Sequence, residues 1–305
     1  MKFLWAIVGV LCLATCAAGE DKKPSLGMWS WKPSHFETAT ARNEMLEFCQ
    51  KEGVSHVDQH VSIKDGAIEN ADALKQLIVQ AAKQNISVNV LRGDNEMFLA
   101  DNHQRTLTDV KTVVAFNSTL PEDAKLLGIK FDVEPYLTSQ WKVGGEPREK
   151  LMLDYLEFLV LAKGYLKEHA SEFELAVDIP FWWDESDYEV TFQGDRKLFT
   201  YHILDRVNWG CVMSYRRDPN AIAELVSKEV DYAAKSDRNR MIAPAMETGN
   251  HLREESHISF AGVPPEQFRS ALASLRSKYA DNPQVRCVML HHYGSLRPYL
   301  EKTEE

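Results

Sequence analysis

The stretch Leu126-Leu127-Gly128-Ile129-Lys130-Phe131-Asp132-Val133-Glu134-Pro135-Tyr136 decides how this 305-residue chain reads. Side chains on a strand alternate between its two faces. Leu127, Ile129, Phe131 and Val133 fall on one face, apolar enough to be covered by helices. Gly128, Lys130, Asp132 and Glu134 fall on the other, with both carboxylates at the C-terminal end and a proline that stops the ladder. Two acids on the inner face of a buried strand are costly unless recognition or chemistry uses them.

Seven further stretches resemble this one in length and composition. The candidate strands are Leu26 to Trp31, Val54 to Val61, Ile86 to Arg92, Leu126 to Glu134, Phe173 to Phe181, Val207 to Tyr215, Met241 to Glu247 and Val285 to Tyr293. Helical patterns lie between them. Leu74, Leu77, Ile78 and Ala81 form one apolar stripe, and Phe268, Leu272, Leu275 and Tyr279 another. Residues 148–169 form the longest, with Leu151, Tyr155, Leu159 and Leu166 as core candidates; prolines at 147 and at 264–265 mark two helix starts. Eight strands alternating with helices in one unit predict a (β/α)8 TIM barrel. A doubly wound open sheet would bring a glycine-rich loop after its first strand. Trp29-Ser30-Trp31-Lys32-Pro33 is not one.

Length and composition bound the rest. Lys2, the apolar run Phe3 to Ala14 and the small residues Ala17-Ala18-Gly19 read as a secretory signal, with a retained anchor as the alternative. The run falls short of the roughly 20 residues that span a bilayer. The expected mature protein is therefore a single barrel over residues 20–305, secreted and extracellular, with no membrane insertion after signal removal. Its net charge, −10 before loss of Lys2, argues against nucleic acid as a partner. Of five cysteines, only Cys49, Cys211 and Cys287 lie beyond the signal, so this is not a disulfide scaffold. Asn85-Ile-Ser87 and Asn117-Ser-Thr119 are glycosylation sequons.

In a barrel the active site lies at the C-terminal ends of the strands. Those ends carry Trp29 and Trp31; Asp58 and His60; Arg92 and Asp94; Asp132 and Glu134; Asp178, Trp182, Trp183 and Asp184; Tyr215 and Arg216; Glu247; and His291, His292 and Tyr293. Carboxylates among tryptophans suit a carbohydrate cleft, because sugar rings stack on aromatics and glycosidic cleavage needs an acid beside a second carboxylate. Glu134 is the candidate general acid. Asp132 lies roughly 6 to 7 Å back along the strand, close enough to couple to it. Lys130, one step deeper, is expected to hold Asp132 ionised; the alternative is a buried ion network of Lys130, Asp132 and Arg92 without a catalytic role.

Asp132-x-Glu134 resembles the close of the D-G-x-D-x-D-x-E signature of glycoside hydrolase family 18, the chitinases and endo-N-acetylglucosaminidases. Val212-Met213-Ser214-Tyr215 is similar to that family's M-x-Y element. Leu127 and Lys130 stand where the signature has aspartates, Arg216 follows Tyr215 in place of Asp, and His291-His292-Tyr293 replaces the usual tryptophan. The resemblance implies that Glu134 protonates the leaving oxygen. Asp132 would then orient a substrate acetamido group acting as internal nucleophile, and Tyr215 would hydrogen-bond it. Glu134-Pro135 also resembles the N-E-P of the 4/7 retaining glycosidases, with Val133 in place of Asn, and Glu247-Thr248-Gly249 ends the strand that carries their nucleophile. That resemblance implies attack by Glu247.

Trp29, Trp31, Asp58, Asp178, Trp182, Tyr215, His292 and Tyr293 are the expected substrate contacts. Neither scheme calls for a cofactor. His56, Asp58 and His60 alternate on the second strand and could join His291 or His292 in a metal site, though the pattern favours hydrogen-bonded barrel histidines. A chitinase-like lectin and a metal-dependent hydrolase remain as alternative functions. Cys211 and Cys287 read as small buried apolar residues.

Overall fold

The computed structural model describes residues 23–236, 238–239, 241–250 and 257–301; the signal at 1–19 and the end of the charged C-terminus lie outside them. Eight parallel strands close into a barrel in chain order. They are β1 (Ser25–Ser30), β2 (Val54–His60), β3 (Ser87–Gly93), β4 (Gly128–Asp132), β5 (Glu174–Pro180), β6 (Trp209–Met213), β7 (Ile242–Glu247) and β8 (Cys287–His291). Closure is made by β1 pairing β8, Met28 opposite Leu290, while its other edge pairs β2. The architecture is the (β/α)8 TIM barrel that the strand count predicts.

The outward faces of the strands are mostly apolar, as the helices that cover them require. On β4, Ile129 and Phe131 are fully buried, and Phe131 meets Phe98 and Phe158 edge-on at 5.1 and 5.6 Å. Side chains of this size contribute about 1.5–3 kcal/mol each when buried. The covering helices are α1 (Ala39–Glu52), α2 (Ala71–Ala82), α3 (His103–Ser118), α4 (Gly145–His169), α5 (Phe199–Leu204), α6 (Ser227–Lys235), α7 (Pro265–Lys278) and α8 (Tyr293–Leu300). The stripe Leu74, Leu77, Ile78 and Ala81 is the buried face of α2. Pro265 opens α7, where its missing N–H costs nothing.

Two small hairpins interrupt the alternation. Ile63–Lys64 pairs Ala67–Ile68 after β2, and Glu189–Phe192 pairs Asp195–Leu198 after β5. Both turn on two residues of positive φ, Asp65-Gly66 and Gln193-Gly194, as a two-residue primed turn requires. They are too short for periodicity to reveal, although Asp-Gly was a usable signal.

Candidate active site

The barrel interior is a column of polar and aromatic side chains in three levels. At the base, Glu174 accepts both Arg286 Nη atoms at 3.1 and 2.8 Å and Trp209 Nε1 at 3.0 Å. In the middle, Lys130 Nζ lies 2.8 Å from Asp58 Oδ2 and 2.7 Å from Asp178 Oδ1, all three side chains fully buried. His56 Nε2 meets Asp58 Oδ1 at 2.7 Å, Asn89 donates to the same oxygen, and Trp29 Nε1 donates to Asp178 Oδ2 at 3.0 Å. The ammonium sits 4.1 Å above the Trp29 ring, an added cation–π attraction in a dry site.

This cage settles the role of Lys130 differently from expectation. Its charge is committed to strands β2 and β5, so it does not hold Asp132 ionised. Burial opposes the ammonium, yet Asp178 and Asp58 outweigh burial and keep Lys130 charged; burial also works against the Asp58 carboxylate, but Lys130 and His56 hold it well below the usual range. Arg92 is not in the network either. It points outward, donating to Asp109 of α3 at 2.8 Å and to the Val61 carbonyl at 2.6 Å.

The third level is the mouth. Asp132 and Glu134 are both partly buried at the end of β4. Burial first, then the charges of Asp178 and Glu134, push the Asp132 carboxyl well above its ordinary value, against the pull of Lys130. Asp132 Oδ1 has no hydrogen-bond partner among the described residues. The Tyr136 hydroxyl donates to Glu134 Oε1, which places a phenol directly on the candidate acid. Across the mouth, Glu247 is fully buried, with Oε2 2.6 Å from His291 Nδ1 and Oε1 receiving the Gly249 N–H. Tyr215 lies beside His291, ring centroids 5.7 Å apart; burial and the Glu247 charge raise its hydroxyl well above the ordinary value.

The expected substrate contacts divide. Trp31, Tyr215 and Trp182 reach the mouth and are partly exposed; Trp182 packs edge-on to Tyr136 at 5.2 Å. Trp29, Asp58 and Asp178 lie one level down, buried in the cage. His292 and Tyr293 are placed elsewhere. His292 caps α8, accepting from the Gly294 N–H, and Tyr293 is buried against His35 and Phe48 outside the barrel. The inward residue on β8 is His291, which the phase Cys287-x-Met289-x-His291 could have identified. Trp183 is buried in the core against Trp141, Tyr155 and Phe199. Tyr136 and the Gly249 amide carried no sequence signal. His56 is a hydrogen-bonded barrel histidine, its Nδ1 2.9 Å from Ser87 Oγ, and among the described residues no group of three or more His, Cys, Asp or Glu is arranged to hold a metal. Cys211 and Cys287 are buried thiols inside the barrel.

Beside the mouth a cleft of about 630 Å³ opens between the ends of β2 and β3, bordered by His60, Arg92, Gly93 and Asp94. Burial, then the nearby Arg92 charge, lowers His60 to about 4.

No protein-family model matches this chain, and no curated protein does. Solved structures share its fold. A chitinase from Bacteroides thetaiotaomicron aligns over 91% of this chain and 94% of its own at 12% identity and TM-score 0.55. The family 1 β-glucosidase from Thermotoga maritima aligns over 88% of both chains at 9% identity and TM-score 0.57. A β-glucuronidase from Bacteroides uniformis aligns over 90% of this chain and 30% of its own, at 12% identity and TM-score 0.59. These likenesses are of fold.

Proposed function

We propose that the protein is a glycoside hydrolase that cleaves at the C-terminal mouth of the barrel, with Glu134 as general acid. The observation that carries this reading is the pair at the end of β4. Glu134 reaches the mouth beside a second carboxyl, Asp132, whose proton affinity is raised by burial and by surplus negative charge below it. Asp132, pushed toward its protonated form and with an oxygen unpartnered among the described residues, is equipped when protonated to donate a hydrogen bond to a substrate group held over it, such as an acetamido oxygen. Trp31, Tyr215 and Trp182 supply apolar faces for sugar rings. The glycosidase folds that align with the chain support the same class of substrate.

Glu247 is less suited to nucleophilic attack than its position on β7 suggests. Its carboxylate is fully buried and both oxygens are engaged. The substrate-assisted route, in which Asp132 works beside Glu134, is therefore the one we favour.

The test is hydrolysis of 4-methylumbelliferyl glycosides, neutral and N-acetylated, by the wild type and by Glu134→Gln. The variant should lose roughly 10²- to 10⁴-fold in kcat with unchanged circular dichroism. Full turnover by it would overturn the assignment. One observation favours a lectin instead, since the Tyr136 hydroxyl already occupies Glu134 Oε1. Calorimetric binding of a chitin oligosaccharide without product would support that reading. Export after removal of residues 1–19 belongs to the same proposal, and sequencing the N-terminus of the mature protein checks it.

A further inference from the structure

Glu247 sits at the mouth with a charge already committed, and the direction of its hydrogen bonds says what it serves. An indole N–H can only donate. Trp31 Nε1, 3.2 Å from His291 Nε2, therefore makes Nε2 the acceptor and leaves the ring proton on Nδ1. That proton points at Glu247 Oε2, 2.6 Å away. The chain runs from indole to imidazole to carboxylate, anchored at its far end by the Gly249 amide.

The indole at the near end is held by its neighbours and stays partly exposed. It tilts over the His60 ring at 5.8 Å between centroids. Gly93 faces it, and a Cβ there would come within 3.2 Å of the indole and 2.8 Å of the Asp132 carbonyl, so glycine is what lets Trp31 pack this closely against β3. Gly93 pairs with Asp132 across the strands, which puts the ring at the boundary between the acid pair and the cleft beside β2 and β3. On the other side of His291 stand Trp29 and Tyr215, at 5.3 and 5.7 Å.

We propose that Glu247 is a positioning residue that, through His291, fixes the Trp31 indole as the stacking wall of a sugar subsite extending from Asp132 and Glu134 into the β2–β3 cleft. The inference rests on the glycosidase reading and deepens it. The cleft carries Arg92 and Arg105 against Asp65, Asp94 and Asp109, a slight surplus of negative charge. The ring it takes is therefore an uncharged hexose or N-acylhexosamine, not a uronate or a sugar phosphate.

The experiment compares Glu247→Ala, Glu247→Gln and Trp31→Phe on whichever neutral 4-methylumbelliferyl glycoside the wild type hydrolyses. Glu247→Ala and Trp31→Phe should raise KM by roughly tenfold and move kcat less than about threefold; Glu247→Gln, which keeps an oxygen for His291, should stay within about threefold of wild type in both. Azide should restore nothing. Loss of kcat in both Glu247 variants, with azide rescuing Glu247→Ala as a glycosyl azide, would overturn the proposal in favour of a nucleophile. A second measurement needs no activity. The Trp31 indole resonance in a ¹⁵N–¹H spectrum, assigned by its absence in Trp31→Phe, should move in Glu247→Ala and return toward its place in Glu247→Gln. An unmoved resonance sinks the chain even if the enzyme is a glycosidase, whereas failure to hydrolyse any glycoside sinks the hydrolase reading alone.

Discussion

The barrel holds two ion clusters, one partly buried and one fully buried, that differ in stoichiometry. At the base one carboxylate, Glu174, meets one guanidinium, Arg286, in a bidentate pair finished by the Trp209 indole. In the middle two carboxylates, Asp58 and Asp178, share one ammonium. A balanced pair satisfies itself and ties strands together. An unbalanced one leaves negative charge over, and that charge adds to the larger effect of burial in raising the proton affinity of Asp132, the carboxyl above it. Similar chemistry thus ties strands together at the base of the barrel and, in its middle, sets the charge beneath the candidate acid pair.

Breaking the middle cluster should have the largest effect. Lys130→Met leaves Asp58 and Asp178 buried without their cation and should cost about 3–5 kcal/mol in urea unfolding. Adding Asp58→Asn and Asp178→Asn to it should recover most of that loss; no recovery would mean the cage is not the source. Breaking the base should cost less. Arg286→Met leaves Glu174 the Trp209 donor, and a loss of about 1–3 kcal/mol is expected with turnover per folded molecule unchanged.

Smaller effects appear as slopes with pH. A carboxyl whose value is raised on folding contributes its stability fully below its unfolded value, and that stability is lost as pH rises through the folded one. Asp132 is such a group, so wild-type stability should fall across that window, and Asp132→Asn should flatten the fall while changing little at acid pH. Glu229 on α6 extends the comparison to a carboxyl with no hydrogen-bond partner for either oxygen among the described residues. Burial, then Asp184, raises it to about 8 from 4.5. Stability should therefore decline between pH 4.5 and about 8, and Glu229→Gln should remove that part of the slope with almost no change at low pH. A slope left intact would place the titration elsewhere.

The sequence was legible where the physics is local. Alternation on β4 identified Lys130, Asp132 and Glu134 as facing inward and Ile129 and Phe131 as facing the helices, and all eight strands were read from the same rule. Phase was lost where the strand ended. His291 and His292 were both placed at the strand end and His292 was chosen as the substrate contact, whereas His291 faces the mouth, because the inward series on β8 runs 287, 289, 291 and His292 already belongs to the cap of α8. Trp182 and Trp183, adjacent in a loop, could not be separated by period at all; one reaches the mouth and the other is core.

What the chain determined by itself was the alternation within each strand's interior and the order of side chains along it, since a period of two needs no partner. What only the tertiary structure decided was who meets whom. Strands of a closed barrel are tilted and staggered, so depth in the chain is not height in the barrel. Lys130, one step below Asp132, is paired with Asp58 of β2 and Asp178 of β5, and Asp132 is left buried above them without a cation of its own, its proton affinity raised by burial and by the negative charge one ammonium does not balance.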